Sequence, residues 1–157
     1  MVGKTKYQTK ADERRLSTLV EIGCIPCLIE GRIGAATIQH VTDCGRRHED
    51  QHRMTYGSCP WHHMAVPPGR KEANMAKNVK AYGPSFAYNR GEFAERYGTE
   101  LQLVQIADAL VRMVERARQD GWFYGSAKLK RLAIELHGEI VLGRRPSDEW
   151  NQKSATA

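Results

Sequence analysis

Apolar residues near the N-terminus recur at the three- and four-residue spacing of a helix. Leu16, Leu19 and Val20 form one stripe, which predicts a helix from Ala11 to Ile22. Gly23 follows directly and indicates a stop, because glycine readily adopts the backbone conformations that end helices. We expect this helix to pack its stripe against the rest of the chain.

The C-terminal half shows the same periodicity more strongly. Thr99 and Gln102 fit a capping box, which predicts the first turn of a helix. Apolar residues follow at helical spacing: Leu103, Ile106, Leu110 and Met113. Gly121 lies just past the expected end of this helix. A second helix is predicted from Ala127 to His137, ended by Gly138.

The middle of the chain changes to a two-residue period. The segment from Ala36 to Thr42 alternates in polarity and is rich in β-branched residues, which predicts a strand. On this strand Ile38 and His40 share one face, whereas Gln39 and Val41 share the other.

A second short strand and a short helix follow. Arg53 to Gly57 predicts the strand, and Pro60 predicts the start of a helix that Pro67-Pro68-Gly69 ends. The weak pattern from Arg70 to Tyr88 predicts a loop or a ragged helix, and Glu92 to Tyr97 a short helical turn. Strand, loop, strand and helix in this order outline a small ββα metal site. The predicted fold class is therefore α+β, a small ββα core with flanking helices. The motifs described below lead us to expect that this core is zinc-stabilised and HNH-like.

A chain of 157 residues is expected to form one domain. We predict a flexible basic arm at residues 1–10, the core with its C-terminal helix at 11–121, an additional helix packed on or beside the core at 122–143, and a disordered tail at 144–157. No apolar run is long enough to cross a membrane. The N-terminal residues lack the apolar region of a secretory signal, so a cytoplasmic protein is expected.

The charge balance favours an anionic partner. The chain carries 24 basic and 18 acidic residues, a net charge of +6. Clustered lysine and arginine bind phosphates, so nucleic acid is the partner this surplus favours. The alternative is that the charge serves solubility alone.

Four residues have the spacing of a structural zinc site. Cys24-x-x-Cys27 is followed, 32 positions later, by Cys59-x-x-His62. Two such pairs are the usual way to close a tetrahedral zinc site, and cysteines in a cytosolic protein are more often metal ligands than disulfides. The alternative is that Cys59 and His62 only pack near the core.

The remaining histidines suggest a second centre. His62 and His63 are adjacent, so on a helix they point about 100° apart and one can bind zinc while the other faces another site. His40, on the predicted strand, is the natural second member, since a neutral imidazole can take a proton from water. A second divalent cation at His63, Mg²⁺ or another, would stabilise charge on a cleaved phosphodiester. The alternative for His40 is an ordinary core histidine.

Arginines lie in and beside the loop that joins the two predicted strands. Arg46 and Arg47 follow Gly45, and Arg53 begins the second strand. Arginine can hold phosphate through paired hydrogen bonds, so these residues are candidate DNA contacts. The alternative is a solvated charged loop.

Several of these motifs occur together in one known family. They are Cys24-x-x-Cys27, His40-Val41-Thr42, Gly45-Arg46-Arg47, His52, Thr55, Cys59-Pro60-Trp61-His62-His63, Gly83-Pro84-Ser85 and Phe93-Ala94-Glu95-Arg96-Tyr97-Gly98-Thr99-Glu100. Together they resemble the recombination-enhancement nuclease (Ref) family, phage-type, RecA-dependent endonucleases of the HNH, or ββα-metal, superfamily. The resemblance covers roughly residues 23–103.

The resemblance implies roles for individual residues. His40 matches the general base and His63 the metal-binding histidine of the helix. His52 matches a loop histidine that either binds the metal or holds the loop. Cys24, Cys27, Cys59 and His62 match the structural zinc group. Gln39 is a departure, because the family commonly has histidine there and wider HNH enzymes have aspartate, and glutamine is a weak metal ligand.

The predicted function is a metal-dependent DNA endonuclease that uses structural Zn²⁺ and a catalytic divalent cation. The resemblance implies a role in recombination or repair, a RecA-type filament as partner, and single strands or recombination intermediates as substrates. Two alternatives remain open: a zinc-stabilised DNA-binding module without catalysis, and a zinc-built interaction protein whose basic charge is incidental.

Overall fold

Helices surround one small sheet in this protein. A computed structural model describes residues 8–42, 51–69 and 74–144, which form seven helices and two strands. The elements are α1 (Lys10–Ile22), α2 (Ile25–Ile29), β1 (Thr37–His40), β2 (Thr55–Ser58), α3 (Pro60–Met64), α4 (Met75–Tyr82), α5 (Arg90–Tyr97), α6 (Glu100–Gln119) and α7 (Ser126–Ile140). The α+β class predicted from the sequence is confirmed.

The long helix α6 organises the core. Its first turn is the predicted capping box, in which the Thr99 hydroxyl accepts a hydrogen bond from the Gln102 N–H and the Gln102 side chain accepts one from the Thr99 N–H. Leu103, Ile106 and Leu110 on one face of α6 are fully buried. Helices α1 and α7 and strand β2 all pack against α6, so the sheet is held against a rigid support.

The two strands are antiparallel, with His40 opposite Thr55. Both predicted strands are confirmed, although β1 is shorter than predicted and β2 begins two residues later. The predicted alternation is also confirmed, because Gln39 and Val41 are buried while His40 is exposed. The sheet therefore turns His40 away from the core.

Helix α3 follows β2 directly and begins at Pro60, as predicted. It ends at Ala65, whose φ of 57° and ψ of 33° lie in the left-handed region. The end therefore comes two residues before Pro67. Along the chain the order is strand, strand, helix, which is the order that the sequence predicts.

Helix α4 lies within the segment from Arg70 to Tyr88, for which the sequence predicted a loop or a ragged helix. Asn74 caps α4 by accepting a hydrogen bond from the Ala76 N–H, and Gly83 ends it at a φ of 84°. Within α4 the only fully buried residue is Asn78. The hydrophobic pattern was weak because this helix lies on the surface, and its two caps define it instead.

Helix α7 continues past Gly138, where the sequence predicted its end. It runs to Ile140, and the chain turns at Gly143, whose φ is 63°. The Ile140 carbonyl accepts a hydrogen bond from the Gln102 side chain, and α7 packs against α6 and α2. Tertiary contacts thus extend the helix through a glycine that would be a weak point in isolation.

Parts of four predicted segments lie outside the described residues: residues 1–7 of the basic arm, 43–50 of the charged loop between the strands, 70–73 of the segment predicted as a loop or ragged helix, and 145–157 of the tail. The division into arm, core, extra helix and tail stays a prediction. Of the helices described, none has the length and apolar character needed to span a bilayer.

Candidate metal centre and active site

Three cysteines and one histidine meet in the interior. Cys24 and Cys27 come from the start of α2, and Cys59 and His62 from the start of α3. Their Sγ and Nδ1 atoms all lie within 4.8 Å of one another. This is the one such group of potential metal ligands among the residues that the structure describes.

The spacing of these four atoms fits a tetrahedral zinc ion. The His62 Nδ1 lies 3.4 Å from the Cys24 Sγ, 3.5 Å from the Cys27 Sγ and 3.1 Å from the Cys59 Sγ. The Cys27 and Cys59 sulfurs are 3.8 Å apart. With Zn–S bonds of about 2.3 Å and Zn–N bonds of about 2.0 Å, a tetrahedron places sulfur pairs ~3.8 Å apart and sulfur–nitrogen pairs ~3.5 Å apart. The Cys₃His group can therefore hold a zinc ion.

Both ligand pairs sit at the beginning of a helix. Cys24 precedes α2 and accepts a hydrogen bond from the Cys27 N–H at 3.5 Å, and Cys59 precedes α3 and accepts one from the His62 N–H at 3.5 Å. A proline in the first turn of each helix fixes the backbone there. Cys24-x-x-Cys27 thus spans the first turn of a short helix. The first turns of α2 and α3 therefore direct all four potential ligands toward one point.

A hydrogen bond fixes the tautomer of His62. Its Nε2 lies 2.9 Å from the Tyr82 carbonyl oxygen, which can only accept, so Nε2 carries the hydrogen. The Nδ1 lone pair then faces the three sulfurs. Metal-binding histidines commonly donate their second N–H to such an acceptor, which orients the ring. The fully buried His62 is therefore prepared to bind a metal before any metal is present.

A second layer of polar contacts holds this arrangement. The Tyr97 hydroxyl lies 3.3 Å from His62 Nε2 and donates to the Glu30 carboxylate at 3.0 Å. Arg96 also pairs with Glu30, at 2.5 Å. A Cβ on Gly83 would collide with the Tyr97 hydroxyl. The motif glycine is therefore needed because the tyrosine that supports His62 occupies that space.

The thiols show why a cation suits this cluster. Burial raises the pKa of Cys24 well above its usual range. The contact with Cys24 lowers the pKa of Cys27, but the contact with Cys59 and burial outweigh it and raise that pKa to about 12. Hydrogen bonds from Cys24 and Cys27 lower the pKa of Cys59. The protein alone thus favours one thiolate shared by two thiols, whereas a bound zinc ion would allow all three to ionise.

Three further histidines gather on the other side of α3. His40 ends β1 and is exposed, His52 precedes β2, and His63 follows the zinc-type ligand His62 on α3. The rings of His40 and His52 meet edge to face, with centroids 6.3 Å apart. Burial, followed by the nearby His52 and His63, lowers the pKa of His40. His40 is thus biased toward the neutral form, the form that can accept a proton.

His52 has an unused buried atom. Its Nδ1 is buried and has no hydrogen-bond partner among the described residues. Buried polar atoms normally have a hydrogen-bond partner, so this nitrogen is a candidate to bind a ligand. The donors of His40, His52 and His63 do not form a group as tight as the Cys₃His cluster in the described chain. An ion at this second site would draw further ligands from solvent or substrate.

Gln39 faces the opposite way from His40. It is 1% exposed, and its side-chain amide donates to the Glu100 carboxylate at 3.2 Å. The other Glu100 oxygen accepts hydrogen bonds from the backbone and hydroxyl of Thr42. The pleat of β1 directs Gln39 into the core, so the residue before His40 offers no ligand on the histidine side of the strand. Gln39 instead ties β1 to the first turn of α6.

Arg15 on α1 binds the segment that carries His52. Its guanidinium donates to the Thr55 hydroxyl at 2.5 Å, the Thr55 carbonyl at 2.9 Å and the His52 carbonyl at 3.2 Å. It also pairs with Asp108 of α6 at 2.7 Å. Thr55 adds a bond from its own hydroxyl to the His52 carbonyl. We call Arg15, Asp108 and Thr55 the arginine clasp, because together they fix the backbone at His52.

The candidate DNA contacts are placed only in part. Arg53 is exposed, next to His52. Arg46 and Arg47 lie outside the described residues. No phosphate contact can be assigned to them from geometry, so their role stays a prediction.

Sequence reasoning missed the residues that support the ligands. Tyr97 and Gly83 lay within the motifs noted above, but nothing local indicated that they contact the metal ligand His62. Arg15 and Asp108 carry no motif and are 93 positions apart in sequence. Such a pair can be recognised only when α1 and α6 pack together.

A two-stranded sheet and a short helix thus lie beside a buried Cys₃His group that could hold zinc, and beside three further histidines. The family model described as "recombination enhancement, RecA-dependent nuclease" matches residues 8–112, about two thirds of the chain. The chain belongs to this family, and the resemblance noted in the sequence is confirmed. The protein is accordingly a nuclease of recombination, with DNA as a partner. No curated protein and no solved structure matches the chain.

Proposed function

We propose that this protein is a metal-dependent DNA endonuclease with an HNH-type active site, and that it cleaves DNA during recombination in concert with a RecA-type filament. The family assignment supplies the nuclease class. The HNH type, the metal dependence and the filament dependence are the added parts of the proposal. Its expected location is the cytoplasm of a bacterial cell, which is the host if a phage encodes it.

The convergence of three histidines on one side of β1, β2 and α3 carries the proposal. His40, His52 and His63 come from three different segments, yet His52 and His63 both lie close enough to His40 to lower its pKa. A structural role would not require three imidazoles near one exposed edge, since packing around the sheet is supplied by buried apolar residues such as Val41 and Tyr56. This arrangement supports a site for chemistry on a charged substrate.

His40 acts as the general base. Its imidazole takes a proton from a water molecule as the water oxygen forms a bond to phosphorus. The bond from phosphorus to the 3′ oxygen breaks, and that oxygen leaves as an alkoxide that is protonated from solvent. Exposure of His40 at the end of β1 gives the phosphodiester access to the ring. Products with a 5′ phosphate and a 3′ hydroxyl are expected.

His63, together with His52, would hold the catalytic cation. When bound, the cation supplies positive charge that stabilises the phosphate oxygens and the leaving oxygen. The unpaired, buried Nδ1 of His52 fits a ligand role. Imidazole donors suit transition metals, whereas Mg²⁺ prefers oxygen and would keep most of its water. Mn²⁺ or Co²⁺ should therefore support activity at least as well as Mg²⁺.

The Cys₃His group holds zinc for a structural purpose. All four ligands are used by one ion, which leaves no open position for substrate. The ligands join the starts of α2 and α3, so zinc fixes the helix that carries His63. Arg46, Arg47 and Arg53 are the residues that we expect to contact flanking phosphates.

A cleavage assay with His40→Ala tests the proposal. Zinc-loaded protein would be mixed with single-stranded and duplex DNA and with Mg²⁺, Mn²⁺ or Co²⁺, with and without a RecA-type filament and ATP. His40→Ala should reduce cleavage by at least ~100-fold while zinc content and DNA binding stay unchanged. Thr37→Ala, another exposed position on the same strand, is the matched control and should retain full activity.

A DNA-binding module without catalysis is the second candidate. The observation that favours it is the direction of Gln39, which leaves no ligand from the residue before His40. Under this alternative the wild-type protein binds DNA and retains zinc, but cuts no substrate with any metal, with or without the filament. That result would overturn the endonuclease proposal.

A further inference from the structure

Two aromatic side chains stand exposed at the end of the molecule formed by the turn from α6 to α7. Trp122 is 71% exposed and Phe123 is 84% exposed, the highest values among the large apolar side chains that the structure describes. Exposing a tryptophan and a phenylalanine side by side costs hydrophobic free energy, so it calls for a partner. This turn lies beyond the residues that match the family.

The turn is held rigidly although its aromatic tips are exposed. The Trp122 N–H donates to the Ala117 carbonyl at 2.7 Å, and Gly121 adopts a φ of 79°. Tyr124, the next aromatic residue, packs against the core. Because the backbone is tied to α6 and Tyr124 anchors the other side, Trp122 and Phe123 are presented without the entropy cost of ordering a loop on binding.

The chain on both sides of the turn carries more basic than acidic residues. Residues 112–131, which include the two exposed aromatics, contain six basic and two acidic residues. This segment therefore carries a net positive charge. The basic residues are Arg112, Arg116, Arg118, Lys128, Lys130 and Arg131. Three of these arginines pair with carboxylates: Arg116 with Asp120, Arg118 with Glu21 and Arg131 with Glu135. The pairs are partly exposed and therefore weak, so the arginines can exchange these partners for phosphate. The partner should be anionic.

We propose that the α6–α7 turn is a binding surface for single-stranded DNA, on which unpaired bases stack against Trp122 and Phe123 while the basic residues hold the phosphates. Duplex DNA hides the faces of its bases, so it could use the charge but not the aromatic rings. A protein partner could use the rings, but it would not by itself account for the basic surplus. Rings and positive charge together fit a single strand best.

The surface is separate from the histidine cluster, and α6 connects the two. Asp108 belongs to the arginine clasp that fixes His52, and Trp122 lies 14 positions further along the chain. At about 1.5 Å per helical residue the separation is on the order of 20 Å. A strand with ~3.4 Å between nucleotides would need roughly six of them to reach from one site to the other. The inference rests on the proposed function only in taking DNA as the substrate.

Binding, not cleavage, is the primary test. The affinity of zinc-loaded protein for a fluorescein-labelled 20-nucleotide oligo(dT) and for a 20-base-pair duplex would be measured by anisotropy at two salt concentrations. Trp122→Ala combined with Phe123→Ala should weaken single-strand binding at least about tenfold and duplex binding less than about twofold. Ile134→Ala, a 47% exposed apolar residue on α7, is the control and should change neither affinity.

Two further variants separate stacking from loss of fold. Trp122→Phe keeps an aromatic ring and should retain most of the affinity, whereas quenching of tryptophan fluorescence by oligo(dT), measured in a Trp150→Phe background, should disappear. Gly125→Asp places a negative charge beside the aromatics at the N-cap of α7, where a Cβ meets open space. Aspartate favours that cap, so stability should hold while single-strand affinity falls severalfold.

Three outcomes would overturn the proposal. One is unchanged oligo(dT) affinity in the aromatic double variant, and another is an equal loss on single strands and duplex. The third is loss of binding to a recombinase filament protein with oligo(dT) binding intact, which would make the turn a protein-docking site. A failure of the endonuclease proposal would look different: His40→Ala and wild type would be equally inactive, whatever the aromatic variants do.

Discussion

Replacing Arg15 with methionine should destabilise the protein far more than replacing the residue it pairs with. Methionine keeps the length and the apolar stem of the side chain but removes the guanidinium. Arg15 is 12% exposed and binds two carbonyls, one hydroxyl and Asp108. Asp108 is 39% exposed, and Arg15 is the partner described for it. The two ends of the ion pair therefore have unequal consequences.

The magnitude follows from the bonds lost. The ion pair should contribute about 1 kcal/mol, because Asp108 is partly in solvent and the interaction is screened. Removing Arg15 also leaves the Thr55 carbonyl without its side-chain donor, at a cost of about 1–2 kcal/mol, while the His52 carbonyl keeps its bond from the Thr55 hydroxyl. Arg15→Met should thus cost about 3 kcal/mol and Asp108→Asn about 1 kcal/mol. Their coupling in a double-mutant cycle should be about 1 kcal/mol.

Urea unfolding of the zinc-loaded proteins at fixed free zinc measures these values. Arg14→Met is the matched control, since Arg14 is the exposed neighbour on α1 and its loss should stay within about 0.5 kcal/mol. Hydrogen exchange at the backbone of residues 52–55 should also speed up in Arg15→Met. Equal costs for Arg15→Met and Asp108→Asn would refute the reasoning, because they would mean that the contacts with His52 and Thr55 contribute nothing.

Four further predictions concern the metal centre and the backbone. Removing zinc with a chelator, or substituting His62→Ala, should abolish cooperative unfolding or sharply lower the unfolding temperature measured by calorimetry, because the folded state loses several kcal/mol of stability. An unchanged unfolding temperature would contradict a structural metal. Gly83→Ala should cost about 2–4 kcal/mol of stability and weaken zinc affinity, because the added Cβ displaces the Tyr97 hydroxyl from His62 and because the backbone there has a φ of 84°. Competition with a zinc indicator measures the affinity, and Gly91→Ala, where an added Cβ meets open space, is the control. Ala65→Gly should stabilise the protein by up to about 1 kcal/mol in urea unfolding, because Ala65 has a φ of 57°, and a loss of stability would show that its methyl contact outweighs the relief. Burial lowers the pKa of His137 below its usual 6.5, so the unfolded chain binds more protons and the free energy of unfolding falls as the pH drops through that range. His137→Gln should therefore lose less stability than wild type between pH 7.5 and 5.5. Parallel plots of stability against pH for the two proteins would exclude His137 as the cause.

Local signals were sufficient for most of the elements that carry the site. The helical stripe of α1, the alternation of β1 and the capping box of α6 each depend on neighbours in sequence, so they could be predicted without tertiary information. The helix start at Pro60 was equally local. The sequence left α4 open between a loop and a ragged helix, because this helix is short and only Asn78 in it is buried.

The Cys₃His group could be predicted because metal binding imposes short spacings on the chain. Two ligands that begin the same helical turn must stand three positions apart, and Cys24-x-x-Cys27 and Cys59-x-x-His62 record that geometry directly. The support of the ligand His62 leaves no such record. Its partner carbonyl on Tyr82 belongs to the backbone, and any residue type supplies a carbonyl.

The sequence by itself determined the fold class, the Cys₃His ligand set and the family of this nuclease, because periodicity, motif spacing and residue type are properties of short stretches. The tertiary structure alone decided that Gln39 binds Glu100, that Arg15 and Asp108 brace His52, and that Trp122 and Phe123 remain outside the core. These features depend on how α1, the sheet and α7 pack around α6. Contacts between residues far apart in sequence arise only from that packing, since no local pattern encodes them.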